Sequence, residues 1–137
     1  MAILVLPCRA LADDEPLPYT YEARVVRVID GDTIVFDISL GFDTWIHDKS
    51  IRLVGVFAPE TRSGTQGEKA LGAKVKEFVA NLLAPGTVVR ITTEKDKTDK
   101  YGRYLGTVWS KGVNVNDSIM KFMSESGISK SGKGVKK

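Results

Sequence analysis

Apolar and polar positions change period three times along this chain. From Tyr21 to Ile29 the sequence is rich in Val, Ile and Tyr, which predicts a strand. From 33 to 40 the pattern alternates. Ile34, Phe36, Ile38 and Leu40 fall on one face, and Val35, Asp37 and Ser39 on the other, so this is the partner strand. Asp30-Gly31 between the two runs is a hairpin signal. After a Gly41-Phe42-Asp43 connection, residues 44–56 predict a third strand, bent near His47-Asp48-Lys49-Ser50. Its alternation sets Ile51, Leu53 and Gly55 on one face and Arg52, Val54 and Val56 on the other.

The period then becomes helical. Thr65-Gln66-Gly67-Glu68 has capping-box spacing, and Leu71, Val75, Phe78, Val79 and Leu82 form one apolar stripe that Pro85-Gly86 ends. Strand character returns over 87–93, with Val89 and Ile91 inward. A charged loop is expected from Glu94 to Lys100, and a strand from Arg103 to Trp109. Lys111-Gly112 turns the chain, and Asn114 can cap a second helix that buries Ile119, Phe122 and Met123. The order is βββ-α-ββ-α. Five short strands with a helix after the third predict an α+β fold built on a five-stranded oligonucleotide-binding (OB) type barrel.

Length and charge narrow the partners. The 137 residues suit one domain, and the single cysteine, Cys8, excludes an internal disulfide and a cysteine-based zinc site. The net charge is +3, but Lys130, Lys133, Lys136 and Lys137 stand in the last ten residues without an acid. Taking those four away leaves −1 for residues 1–127. The body is therefore not a basic slab, and phosphate recognition must come from a few placed cations. The expected layout is a leader over 1–20, a folded domain over 21–126 and a basic disordered tail over 127–137. In the leader, Ala10-Leu11-Ala12 before Asp13-Asp14 has the look of a signal-peptidase site. No Lys or Arg precedes the apolar Ala2–Leu6 run, however, and Pro7 and Arg9 interrupt it. The protein is secreted if residues 1–12 are a truncated signal, and cytoplasmic otherwise. No run approaches the ~20 apolar residues of a membrane span.

The candidate chemistry lies at the turns. Val28-Ile29-Asp30-Gly31-Asp32-Thr33 puts two acids within three positions. Like charges so close call for a cation, an arginine or hydrogen-bond donors. Arg52 sits in an apolar run with Glu60 just beyond it, and Arg103 precedes a strand. An arginine among valines must be paired or face a cleft. Two acids, two arginines and a glutamate provide a cation seat, two charge clamps and a base for phosphodiester chemistry. Each residue also has a plainer reading: a turn for Asp30-Gly31, a buried ion pair for Arg52, a surface acid for Glu60, and solvated loop for Lys100 and Tyr101. Trp45 and Trp109 are expected in the core or at the barrel rim, and His47 has no partner in view.

Three motifs in order resemble the staphylococcal nuclease family over about Ala23 to Met123: Val28–Thr33, Ile51-Arg52-Leu53 through Ala58-Pro59-Glu60-Thr61, and Thr98-Asp99-Lys100-Tyr101-Gly102-Arg103. The resemblance implies an OB barrel that cleaves DNA or RNA with calcium and little sequence specificity. It implies Arg52 and Arg103 as phosphate-stabilising arginines, Glu60 as general base and Asp32 as a calcium ligand with Asp30 beside the metal. Lys100 and Tyr101 would lie near the substrate's terminal phosphate. One departure matters. The family has Asp-Thr before Pro-Glu, and that Asp is a second calcium carboxylate; here the pair is Phe57-Ala58. Ala58 retains a backbone carbonyl, but Phe57 cannot hold a cation. Either the metal is bound loosely or hydrolysis is slow or absent. No counterpart of the family's third helix and tyrosine pair follows the second helix. The rival readings are an inactive OB module for nucleic acid or nucleotides, and an interaction barrel whose Asp/Arg cluster is only structural. A monomer with no obligate protein partner is expected.

Overall fold

Residues 19–59, 66–98 and 102–128 are described by the computed structural model, with backbone alone for 94–98. The leader expected over 1–20 lies almost wholly outside these residues, and so does most of the tail expected over 127–137. Thr65 of the capping box, Glu60, Lys100 and Tyr101 are outside them too.

Three consecutive antiparallel strands open the fold: β1 (Thr20–Asp30), β2 (Thr33–Gly41) and β3 (Thr44–Leu53). Helix α1 (Gln66–Leu82) follows, then β4 (Val88–Thr98), β5 (Tyr104–Ser110), a two-residue β6 (Val113–Asn114) and helix α2 (Val115–Glu125). The strand order is β3-β2-β1-β4-β5, and β5 returns to pair with β3, which closes a five-stranded barrel. That closing seam is the only parallel pairing among the described strands, with Ile51, Arg52 and Leu53 beside Tyr104, Leu105 and Gly106. The predicted βββ-α-ββ-α barrel is the observed one.

Alternation fills the barrel. Ala23, Val25, Ile34, Phe36, Ile38, Ile51, Leu53, Val89, Ile91 and Val108 are buried in one cluster. A bulge between Val25 and Arg27 shifts the phase of β1, so that Val28 again packs against the core. Gly106 is required at the seam, because a Cβ there would stand 2.9 Å from Ile51 Cγ2. Val75 and Val79 of α1 and Ile119 and Met123 of α2 cap the core, and Phe78 stacks on Phe122 with centroids 4.1 Å apart.

Several expectations are corrected. The third strand ends at Leu53, not at 56. Gly55, at φ +80°, turns the chain, so Val56 is buried and Gly55 exposed, opposite to strict alternation. Leu40, read on one face with the buried Ile34, Phe36 and Ile38, is exposed near the end of β2, and Val35, read on the opposite face, is buried as well. Leu82 is exposed, and Leu83 one position later is the buried residue, as the chain leaves the helix. The charged loop from 94 belongs instead to β4, which continues to Thr98 and pairs it with Tyr104. Glu94 to Lys97 are all charged, so the sequence of this strand end carries no apolar alternation. The Gly/Ser/Lys-rich stretch from Ser124 begins inside α2. Gly127, at φ +72°, then lets the Ile128 N–H reach the Met123 carbonyl, and Ile128 is buried. Asn114 caps α2 as expected, its side-chain oxygen accepting from the Asp117 N–H.

Candidate phosphodiester site

The site is built at the β1–β2 turn. Asp30 pairs with Thr33, leaving Gly31 and Asp32 as the two turn residues. Gly31 is needed for space: a Cβ there would lie 2.4 Å from Val75 Cγ1 and 2.9 Å from Ala58 Cβ. The turn is therefore pressed between α1 and the segment after β3. That pressure fixes where Asp32 stands.

Asp32 is held from several sides. Its Oδ1 accepts from the Thr33 hydroxyl at 3.0 Å, and its Oδ2 lies 3.7 Å from Arg52 Nη2. The Ala58 backbone N–H also donates to this carboxylate, and the backbone carbonyl of Asp32 accepts from Leu53 N–H at 2.8 Å. Burial pushes the Asp32 carboxyl above its usual range. Arg52, Thr33 and Ala58 pull it back, and the Asp30 charge adds to the rise. The net direction is upward, so burial and the neighbouring acid outweigh the arginine.

Arg52 is not simply an ion-pair partner. Its Nη1 donates to the Leu53 carbonyl at 2.8 Å and the Val56 carbonyl at 2.6 Å, pinning the turn that ends β3. Its guanidinium also lies over the Phe57 ring at 5.4 Å. An arginine that shares a strand with apolar neighbours is thus paired, as its setting required. Arg103, after the Gly102 turn at φ +81°, donates from Nη1 to the Thr33 hydroxyl at 2.9 Å. The parallel β3–β5 seam brings the two arginine-bearing segments together. Arg103, Thr33, Asp32 and Arg52 form one continuous polar chain.

The structure thus gathers Asp32, Arg52, Arg103 and Ala58 and places Asp30 one turn residue away, paired with Thr33. The remaining predicted residues, Glu60, Lys100 and Tyr101, lie outside the described region; Pro59, directly before Glu60, is buried. His47, expected to lack a partner, is 3.2 Å from Asp37, which also accepts from the Asp48 N–H and is held below its usual range chiefly by that bond.

Two contributors had no assigned role in the sequence reading. Thr33 is 2% exposed and links Arg103 to Asp32. Asn116 is 4% exposed; it accepts from Val108 N–H at 3.0 Å and donates to the Val54 and Gly106 carbonyls at 2.9 and 3.2 Å. It holds α2, β5 and the turn beneath Arg52 as one unit. Its signal was a polar residue in the stripe with Ile119 and Met123.

The donor set fits a divalent cation modestly. Asp32 and Asp30 repel one another, which a cation would relieve, but the Asp32 oxygens already serve Thr33, Ala58 and Arg52. Phe57 contributes a ring against Arg52 and no oxygen to this cluster. Among the described residues no cluster of three or more metal-ligating acids, histidines or cysteines forms. Nor, among them, is any helix long and apolar enough to cross a membrane.

Comparison with known proteins gives the same direction. A family model described as staphylococcal nuclease homologue matches residues 50–131. The chain is 30% identical over 129 residues to the thermonuclease of Staphylococcus hyicus, covering 88% of this chain and 71% of that protein. It is 36% identical over 97 residues to the thermonuclease of Staphylococcus intermedius, covering 71% of this chain and 54% of that one. It is also 31% identical over 121 residues to endonuclease YhcR of Bacillus subtilis (strain 168), covering 81% of this chain but only 10% of the larger protein.

Proposed function

The chain belongs to the staphylococcal nuclease family, and from that premise we propose that it is a calcium-assisted nuclease hydrolysing phosphodiester bonds of DNA or RNA with little sequence specificity. One observation carries the reading: two guanidinium groups from segments fifty residues apart converge on the single Asp32–Thr33 pair.

In this reading Arg52 and Arg103 clamp the phosphate. Arg52 uses Nη1 on two carbonyls, and its Nη2, 3.7 Å from Asp32 Oδ2, is the side of its fork that a phosphate oxygen would share with that carboxylate. Arg103 is aimed by the Thr33 hydroxyl. Both therefore approach the charge that develops in the transition state from fixed positions, so little reorganisation is required. Glu60 takes the proton of the attacking water, and Lys100 and Tyr101 hold a terminal phosphate. Asp32 and Asp30, with the Ala58 carbonyl, would hold the calcium ion. When bound, that ion supplies positive charge that polarises the phosphate and its water.

The test is cleavage of denatured DNA with calcium and with chelator. Glu60→Gln and Arg103→Ala should each lower the rate about 10²–10³-fold. Cleavage that survives both substitutions, or that ignores chelator, would refute the assignment. A second reading, a nucleotide-binding module without turnover, is favoured by Phe57, whose ring occupies the flank of Arg52. It predicts binding of a nucleoside bisphosphate that Arg52→Ala abolishes, with no cleavage at any calcium concentration.

A further inference from the structure

The far end of the barrel carries a groove of about 830 Å³ that the nuclease chemistry leaves unused. It opens on the outer faces of β1, β4 and β5. Register places Glu22, Arg90, Trp109 and Asn114 opposite one another in a single rung across four strands. Tyr21, Glu22, Val88, Arg90, Trp109 and Lys111 are among its lining residues. Trp109 is half-buried, and Arg90 and Lys111 are exposed. Glu22 is the one acid among the described residues that line it.

Lys111 sits at φ +51°, in the left-handed region that Gly and Asn adopt more readily. The β5–β6 turn thus carries a cation at the groove edge where a smaller residue would be easier. In a body whose net charge is −1 over residues 1–127, two cations beside a tryptophan are a local concentration.

We propose that this groove is an exosite for single-stranded nucleic acid. One or two bases stack on Trp109, and the adjoining phosphates meet Arg90 and Lys111. Aromatic platforms flanked by cations bind unpaired strands regardless of sequence, because every base has a π-face. The proposal rests on the nuclease reading for the other end of the strand. Glu22 and Asp30 are eight residues apart on β1, so the groove's β1 edge and the start of the Asp32 turn are roughly 26 Å apart along the strand. OB barrels occupy about 4–16 nucleotides, so one strand can engage both ends. Substrates of about two nucleotides cannot.

The test uses the full chain carrying Trp45→Phe, which leaves Trp109 as its one tryptophan. Adding an oligothymidylate of about twelve nucleotides should quench its fluorescence saturably. Arg90→Glu with Lys111→Glu should weaken that binding about tenfold or more, and Arg90→Lys with Lys111→Arg should restore it. For long single strands the charge-reversed protein should show a raised KM with kcat unchanged, while cleavage of a two-nucleotide substrate is unaffected. Absence of quenching, quenching that the charge reversal leaves intact, or equal quenching by polyglutamate would overturn the exosite. Quenching without cleavage keeps the exosite and removes the nuclease reading. Cleavage without quenching does the reverse.

Discussion

Replacing Gly31 with Ala asks whether the turn that carries Asp32 is positioned by packing. Gly31 does not occupy the left-handed region, so its backbone accepts an L side chain, and the obstacle is space alone. The new Cβ would lie 2.4 Å from Val75 Cγ1, 3.1 Å from Val75 Cβ and 2.9 Å from Ala58 Cβ, where ordinary carbon contacts are about 3.5–4.0 Å. The turn must retreat by about an ångström from both neighbours. Overpacking of this kind costs about 1–3 kcal/mol. With a urea slope of about 1–3 kcal/mol per molar, the unfolding midpoint should fall by roughly 1 M. Because Ala58 also donates to Asp32, the retreat should disturb the carboxylate and lower cleavage more than stability alone explains. Val75→Ala removes the 2.4 Å clash but not the other two contacts. The double variant should therefore recover about 1 kcal/mol relative to additivity. Urea titrations of wild type, both single variants and the double variant measure this. A Gly31→Ala midpoint within about 0.2 M of wild type, or strict additivity with Val75→Ala, would refute the packing argument.

Asn116→Ala should cost about 2–4 kcal/mol in chemical denaturation, because it strips the Val108 N–H and the Val54 carbonyl of buried partners; a loss under 1 kcal/mol would count against that network. Asp32 has a folded-state carboxyl raised above its unfolded value, so the folded state holds its proton more tightly. Stability from this group is full below the usual carboxylate range and declines as pH rises through the raised folded value. Asp32→Asn should abolish that decline and be no less stable than wild type at neutral pH by thermal melting, while cleavage is lost. Phe57→Asp should make Tm rise with added calcium more steeply than in wild type, since a third carboxylate joins the acid pair. A calcium response that stays flat would show that Phe57 is not what limits the cation seat.

The strands of the barrel were readable because burial on one face imposes a period of two, and Ile34, Phe36 and Ile38 obey it. Reading failed where tertiary contacts break the period. Gly55 reverses the chain so that Val56 turns inward, and leaving α1 exchanges Leu82 for Leu83. The acids and arginines of the site were legible by residue type, since an arginine in an apolar run needs a partner. Their second jobs were not. Arg52 bonding two carbonyls depends on a turn that sequence alternation does not describe, and Thr33 as a link depends on its bond from Arg103, seventy residues away. Gly31 was read as a turn former, whereas its structural reason is the side chain of Val75.

The parallel seam of β3 and β5 gives the proposed activity an all-or-none character. The two guanidinium groups do not face one another across a common pocket until the last edge of the sheet zips shut, because Arg52 and Arg103 arrive from opposite lips of that opening. A peptide ending before Gly102 keeps the acid pair and one cation but lacks the second half of the clamp. The competent pocket is a product of circular closure, and loosening that one edge should silence it while most of the hydrophobic interior is still intact.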